Sequence, residues 1–521
     1  MQQVDAIVVG AGVNGLAAAT HLAERGWSVL VLEKADAPGG AVRTEEATLP
    51  GFRHDLCAMN LSMFAGSAFY ATHKQALHAQ GLDFVGVADS FATPFVDGRW
   101  LGVSTDLAAT SARIAEFSSA DAAAWRAMAA SFPSDAAYIG GLLGKPMPSL
   151  AVVKLMFRAW REKGLDWMRD MAGMLVSSPR NYLDRHFESP QLRAMMAAWG
   201  MHLDFGPDIA GGAVFPYLES MANQAFGMVL GKGGADAVIR AMCGVIGARG
   251  GRIECNAEVT AITTRNGKAV GVRLSDGREI SAGRAVIANL HPRHLIRLAP
   301  DLPTRFTAPA SKFRAGPGTM MIHMALDSLP DWQAGEDLKR FAYVHLAPDY
   351  ATMSRVYQQS ISGLLPDEPV LVVGQPTALD PSRAPEGKHV LWVQVRTLPY
   401  DIASDAAGKI SARNWDQAKG PYAERAIDLI ERYAPGLRGK ILGMAVQSPL
   451  DLEWMNPNLV GGDSLSGSHH LDQNFLFRPM PGWSRWKTPL SDLYQVGAST
   501  WPGAGTGVGS GFMLAQYLAG K

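Results

Sequence analysis

"VDAIVVGAGVNGLAAATHLAERGWSVLVLEK", residues 4–34, decides the fold. The apolar run at 6–9 reads as a buried parallel strand. Gly10-x-Gly12-x-x-Gly15 follows, then an Ala-rich helix that should end near Gly26, then a second apolar strand at 29–32 that leads directly to Glu33. Glycine is common in this chain, at 55 of 521 residues, so the three glycines alone would mean little. Their context is what carries the reading: strand, glycine turn, helix, strand and terminal acid form the dinucleotide-binding unit. Gly10 permits the tight turn, Gly12 a close backbone approach to a pyrophosphate, and Gly15 close helix–sheet packing. The helix N-terminus favours an anion. Glu33 can accept hydrogen bonds from a ribose 2′-OH and disfavours a 2′-phosphate, so NADP is the poorer ligand.

The same grammar returns at the other end of the chain. "TPLSDLYQVGASTWPGAGTGVGSGFMLAQYLAG" has an apolar strand at 493–496, a run of glycines, and a helix expected from about Val508 to Leu518. Its N-terminus, preceded by Gly505-Thr506-Gly507, would present bare N–H groups to an electron-rich partner. Between the ends, residues 227–289 read as a glycine turn, a helix at 235–248 and a small antiparallel meander. The meander turns at Asn266-Gly267 and Asp276-Gly277 and closes with the apolar strand 285–288. Residues 65–225 are rich in helix patterns. Residues 295–480 mix strands such as "GTMMIHMAL" and "KHVLWVQVRTLPY" with a helix at 422–433.

Composition bounds the function. Lys+Arg and Asp+Glu both number 48, which gives no bulk attraction to nucleic acid. Cys57, Cys243 and Cys255 are scattered and form no C-x-x-C, so neither a redox dithiol nor a Cys-based metal site is expected. His291 and His294 have metal-compatible spacing but no third ligand nearby, and read as structural. The first strand starts at once, so no signal peptide is expected. No apolar run reaches the length of a membrane span. The chain is expected to be soluble and cytoplasmic, or at most attached to a membrane surface. Residues 150–175 interleave Lys154, Arg158, Arg161 and Lys163 with Leu155, Met156, Phe157 and Trp160. Such a stretch reads either as a helix packed over a cavity or as a peripheral membrane contact.

A second glycine pair, Gly39-Gly40, follows Glu33 closely. Together with the terminal motifs and stretches such as "HHLDQNFLFRPMPGWSRWKTPLSDLYQVGAST", it makes the whole chain resemble the amine oxidase and phytoene desaturase flavoproteins, and the desaturase-related branch in particular. The resemblance implies an α/β fold: a discontinuous Rossmann-type FAD-binding domain with an inserted α+β substrate domain. Its parts would be 1–64, 226–294 and 481–521 for FAD, and 65–225 and 295–480 for substrate. The implied cofactor is FAD. An S-G-G-C-Y-like stretch is absent, so the FAD is expected to be non-covalent.

The expected cofactor-binding residues are Gly10, Gly12, Val13, Asn14 and Gly15 in the first turn, with Glu33 and Lys34 after the second strand. Gly39, Gly40, Ala41 and Arg43 would lie along the cofactor, and Val259 against its adenine. Gly497, Ala498, Gly505, Thr506, Gly507 and Val508 would complete the site from the C-terminal segment. Family members often have Arg directly after the glycine pair, where this chain has Ala41. Amine oxidases usually have an acid soon after the first C-terminal glycine, where this chain has Ala498-Ser499-Thr500. They also often carry a lysine on the strand matching "GTMMIHMAL", which here offers His323.

A flavin accepts the hydride itself, so the protein must hold a substrate C–H against it and exclude water. His469 and His470, in a polar loop before the last segment, are the candidate catalytic groups. The expected reaction is dehydrogenation or isomerisation of a bulky apolar, carotenoid- or isoprenoid-like molecule, with oxygen or a quinone as electron acceptor. An amine or alcohol oxidase, and an FAD-holding assembly protein with little turnover, are the alternatives. The oligomeric state is not readable.

Overall fold

The computed structural model describes residues 2–520. Two seven-stranded sheets organise the chain. In the first, the order is Val259–Arg265, Lys268–Leu274, Glu279–Asn289, Gln2–Val9, Val29–Leu32, Arg252–Glu254, with Leu493–Val496 also joined to Glu279–Asn289. The five strands Leu493–Val496, Glu279–Asn289, Gln2–Val9, Val29–Leu32 and Arg252–Glu254 run parallel, and the other two complete the antiparallel meander. N- and C-terminal strands therefore share one neighbour, the long Glu279–Asn289 strand.

Alternation along these strands buries both faces. Ala6, Val8, Val31 and Ile287 pack with the helices Val13–Glu24, Ala237–Ala248 and Gly509–Ala519. Ile7, Val9, Leu30 and Val286 pack on the opposite face with the meander and residues 295–310. Such continuous apolar runs are what a sheet covered on both faces requires. Each fully buried aliphatic side chain contributes about 1.5–3 kcal/mol.

The second sheet draws on strands from residues 89–104 and 318–447. Its order is Ile441–Gln447, Gly318–Leu326, His389–Leu398, Val370–Gly374, Tyr343–Leu346, Asp89–Pro94, Trp100–Ser104. Leu391, Val393 and Val395 face the helix Trp415–Tyr433. The intervening Trp392, Gln394 and Arg396 point the other way, toward an internal cavity. The helical segment of residues 119–226 covers that cavity. A further two-stranded pair, Phe84–Val87 with Met228–Gly231, ties the segment on either side of it together.

Helix ends differ from expectation for local reasons. The helix expected from 235 starts at Ala237, because the Ala235 N–H is donated to Asp55 Oδ1 at 2.7 Å. The helix Leu150–Val176 is interrupted at Gly164, whose φ of 82° is left-handed. The helix expected at 422–433 starts earlier, at Trp415, because the Asn414 side chain caps it. The last helix starts at Gly509, after Val508 adopts a left-handed φ of 52°.

That last helix packs against the first one at backbone distance. Gly511 N donates to Asn14 Oδ1 at 3.3 Å, and a Cβ on Gly511 would lie 1.8 Å from Asn14 O. Gly511→Ala must therefore force the two helices apart, and chemical denaturation should show a loss of about 1–3 kcal/mol. Gly247→Ala, an exposed helical position with open space around it, should be neutral or gain up to about 1 kcal/mol in the same measurement.

Candidate functional site

Parallel register builds the site. Val9 pairs with both Leu32 and Ala288, and Asn289 with Val496. Gly10, Glu33, Asn289 and Gly497 consequently emerge side by side at the carboxyl edge, where open parallel sheets bind ligands. Asn289 occupies the space that the glycines leave. A Cβ on Gly12 would meet its Nδ2 at 2.9 Å, one on Gly15 the same atom at 3.1 Å, and one on Gly497 its Oδ1 at 3.0 Å. Asn289 Nδ2 also donates to Gly10 O at 3.3 Å. The sequence reading stopped at Ala288 and missed this residue; its only signal was a polar side chain closing an apolar strand.

The N-terminal residues gather on one cavity. Gly10, Gly12, Val13 and Asn14 line it, and no side chain caps the helix that starts at Val13, so its first-turn N–H groups remain for a ligand. Gly15 lies behind this wall, packed on the Gly10 carbonyl. Glu33 is held in place by two backbone donors, Ala11 N at 2.8 Å and Ala35 N at 2.9 Å. Lys34, Gly39, Gly40 and Ala41 continue the lining. Gly39 N donates to Ala11 O at 2.9 Å, which lays the second glycine pair against the first turn. Arg43 also reaches the wall, but its guanidinium is paired with Asp36 at 3.3 Å and Glu45 at 2.5 Å. Val259 lines the cavity at the start of its strand, beside Ala257 and Glu258.

From the other end of the chain, Gly497, Ala498, Gly505 and Thr506 reach the same cavity. Gly505 packs on Met63, where a Cβ would come within 2.6 Å of the sulfur. Gly507 and Val508 sit behind the wall, where Val508 sets the start of an equally uncapped helix. Arg478, fully buried, clamps this loop. It donates to Ala498 O at 2.7 Å and to Ser468 O at 2.8 Å, and burial lowers its pKa to about 9.

The two adjacent histidines part company. His469 lines the cavity and accepts from Ala504 N through Nε2 at 3.1 Å, so its neutral ring carries the proton on Nδ1, beside the Gly467 backbone. Burial pushes its pKa well below the usual histidine value. His470 is not on the cavity wall. Its Nε2 contacts Asp204 O at 2.9 Å and the Tyr357 hydroxyl at 3.1 Å, which makes it part of a half-buried link between loops. Backbone direction explains the split: successive residues in an extended stretch point to opposite sides. His291 and His294 do line the cavity, and His294 Nε2 is engaged by Pro457 O at 2.8 Å. His323 lies in the core, 3.3 Å from Gln447. No cluster of three or more His, Cys, Asp or Glu placed for a metal occurs among the described residues.

Beyond the nucleotide groove the cavity, about 640 Å³ in all, becomes apolar and aromatic. Trp199, His202, Tyr343 and Trp392 form one wall, with the Tyr343 and Trp392 rings stacked at 5.7 Å between centroids. Met156, Trp167 and Met171, from the helix Leu150–Val176, form another. Arg396 reaches this part and is buried. Its donors go to Met201 O, His202 O, Thr319 and Ser464, and burial lowers its pKa to about 10. Glu219, on the helix Val214–Phe226, also faces the cavity. Sequence reading found neither, because a single charge inside an apolar segment carries no periodic signal.

An uncapped helix start, a carboxylate at the neighbouring strand end and glycines that admit a close backbone fit a ligand with a pyrophosphate and a ribose. The adjoining apolar chamber fits a second, less polar molecule. Residues 14–413 match the family described as flavin containing amine oxidoreductase. The chain is 28% identical to the mouse pyridine nucleotide-disulfide oxidoreductase domain-containing protein 2, over 96% of this chain and 91% of that one. It is also 28% identical to the neurosporene-forming phytoene desaturase of Rhodobacter capsulatus, over 98% and 93%. An oxidoreductase from Methanosarcina mazei shares the fold, with a TM-score of 0.62 at 18% identity over 99% of this chain and 100% of that chain. The chain thus belongs to the flavin containing amine oxidoreductase family and is an FAD-dependent oxidoreductase.

Proposed function

We propose that the protein dehydrogenates or isomerises a bulky, largely apolar molecule of isoprenoid or carotenoid type. The observation that carries this reading is the aromatic and apolar chamber continuous with the nucleotide groove. Similarity to phytoene desaturases supports the same substrate class. Bound FAD supplies a two-electron acceptor that takes a hydride at N5. Oxygen or a quinone would remove the electrons afterwards. The FAD part would comprise 1–64, 226–294 and 481–521, and the substrate part 65–225 and 295–480.

In this reading the turn Gly10–Asn14 holds the pyrophosphate, Glu33 the ribose hydroxyls and Val259 the adenine. Lys34 borders the ribose, and Gly39, Gly40 and Ala41 lie along the cofactor. Arg43 steadies that loop through its ion pairs. Gly497 and Ala498 approach the ribityl chain, and Gly505 and Thr506 the flavin's pyrimidine edge. Gly15, Gly507 and Val508 act from behind the wall by fixing the backbone. His469 donates through Nδ1 as a neutral ring. It is not a base, since burial keeps it from taking up a proton.

The helix Leu150–Val176 also supports attachment to an anionic bilayer. It exposes Leu150, Val153, Phe157 and Trp160 on one face, among the exposed Lys154, Arg158 and Arg161. The same helix lines the cavity with Met156 and Met171, so docking would bring the chamber to the lipid phase in which an apolar substrate resides. No helix among the described residues is long and apolar enough to cross a membrane.

Purified protein should carry FAD and be yellow. Glu33→Ala should weaken FAD binding roughly ten- to a hundredfold, the cost of losing a charged hydrogen-bond acceptor, as measured by flavin release on dilution. Anaerobic mixing with phytoene should bleach the flavin or give an isomerised product by chromatography. If benzylamine or geraniol bleaches it and phytoene is untouched, the amine or alcohol reading replaces this one. If none reacts, a flavin-holding protein with little turnover is the better description.

Sedimentation with phosphatidylglycerol vesicles should recover the protein at low salt. The double variant F157E/W160E should stay in the supernatant with its FAD retained. Equal recovery of both proteins would remove the membrane surface from the proposal.

A further inference from the structure

Three acids line the cavity: Glu33, Glu258 and Glu219. Glu33 is engaged by two backbone amides, and Glu258 stands next to Val259 at the nucleotide end. Glu219 alone belongs to the substrate chamber. It projects from the helix Val214–Phe226 on the same face as Phe215 and Leu218, which also line the chamber. No hydrogen bond or ion pair to its carboxylate occurs among the described residues; only its main-chain carbonyl is used, by Asn223 Nδ2 at 2.8 Å. Glu219 is half-buried: its carboxylate has no protein partner and stays open to the chamber, where it can meet a bound substrate.

Its surroundings connect it to the cofactor end. Tyr343 lies close enough for its phenol to feel the Glu219 charge, and the Tyr343 hydroxyl also meets the backbone of Asn60. Asn60 and Met63 belong to the stretch that lines the cavity against Gly505. Other charged groups around the chamber are already committed. Arg396 is spent on carbonyls and hydroxyls, and Asp135, on the adjacent helix Ser119–Leu143, is taken by Tyr217 and Trp167 at 2.9 Å and by Lys163 at 3.3 Å. Asp55 and Arg383, behind Tyr343, pair with each other at 2.5 Å. His202 on the same wall is held neutral by burial.

We propose that Glu219 accepts the proton released when a bound substrate is oxidised. This rests on the oxidoreductase reading and not on which substrate occupies the chamber. One C–H bond breaks with its electron pair, which leaves as hydride to FAD. The neighbouring C–H, N–H or O–H bond breaks the other way: its proton passes to the Glu219 carboxylate, and its electron pair becomes the new double bond. Burial alone raises the Glu219 pKa to about 7, so the carboxylate is both present and basic enough near neutrality. The wall histidines make poorer bases, since burial lowers His202 and His469 far below 7.

The test compares FAD-loaded wild type with Glu219→Gln, an isosteric change whose folding is checked by its flavin spectrum. Without substrate, infrared difference spectra across neutral pH should show a carboxyl signal that titrates near pH 7 in the wild type and is absent from E219Q. With whichever of phytoene, benzylamine or geraniol bleaches the wild-type flavin, bleaching should be about 100-fold slower or more in E219Q. The wild-type rate should rise with pH through neutrality and the E219Q rate should not. Bleaching of E219Q at the wild-type rate, or no titrating signal lost on substitution, overturns the assignment. If none of the three compounds bleaches the wild type, the substrate reading falls, and the infrared titration alone decides whether Glu219 exchanges a proton as proposed.

Discussion

The contact on which everything else depends is the meeting of two backbones that have no side chains between them. Gly511 at the start of the last helix touches the Asn14 carbonyl at the start of the first. Asn289, at the end of the strand both termini share, fills the hollow left by Gly12, Gly15 and Gly497. A Cβ at Gly511 would force the two helix starts apart, and one at Gly12, Gly15 or Gly497 would press on the Asn289 side chain. Brought together, the two helix starts lie side by side, and the first turn of Val13–Glu24 presents its uncapped N–H groups to the cavity. That is an expensive arrangement for an empty protein and a favourable one for an anionic, electron-accepting cofactor. The glycines thus cost conformational entropy on folding and recover it only as binding energy.

A second constraint comes from buried cations that feel the Asp463 charge but make no salt-bridge contact with a carboxylate among the described residues. Arg478 and Arg396 are each enclosed and each donate almost wholly to carbonyls and hydroxyls. Burial makes the free base easier to reach, yet pKa values of about 9 and about 10 leave both charged at neutral pH. A guanidinium in that position must have its donors satisfied, so the loops that supply the oxygens are fixed. Arg478 joins residues 466–468 to Ala498, and Arg396 joins residues 201–202 to Ser464. These two collars hold the chamber walls to the C-terminal cofactor loop without placing a counter-charge where a substrate must slide.

How much of this the sequence disclosed follows from the length of each signal. The strand–turn–helix–strand unit repeats a pattern over some thirty residues, and both terminal motifs reported their partners. The meander turned where Asn266-Gly267 and Asp276-Gly277 said it would, because those pairs favour positive φ. Long-range identities were invisible. Asn289 matters through four glycines at distant positions, and nothing near it announces that. The His469-His470 pair could be placed near the site but not resolved, since which ring faces the cavity depends on a single backbone direction. Arg43, expected along the cofactor, does line the cavity, but its ion pairs with Asp36 and Glu45 were not legible in the sequence.

Glu219 shows why polar groups inside apolar segments escape pattern reading and repay structural reading. On the sequence it is one acid in an otherwise ordinary amphipathic helix, and the bland expectation is a solvated face. The fold turns that face inward. A carboxylate there cannot be explained as packing, since Leu or Gln would fill the volume at lower desolvation cost. It cannot be explained as an ion pair either, because no cation meets its carboxylate among the described residues, and Arg396 on the chamber wall gives its donors to other oxygens. What remains is a group whose partner arrives and leaves with the substrate. In the proposed reading the cavity divides the work: glycine loops and Asn289 place the electron acceptor, aromatic rings exclude water, and a lone acid near neutrality takes the proton that hydride transfer leaves behind.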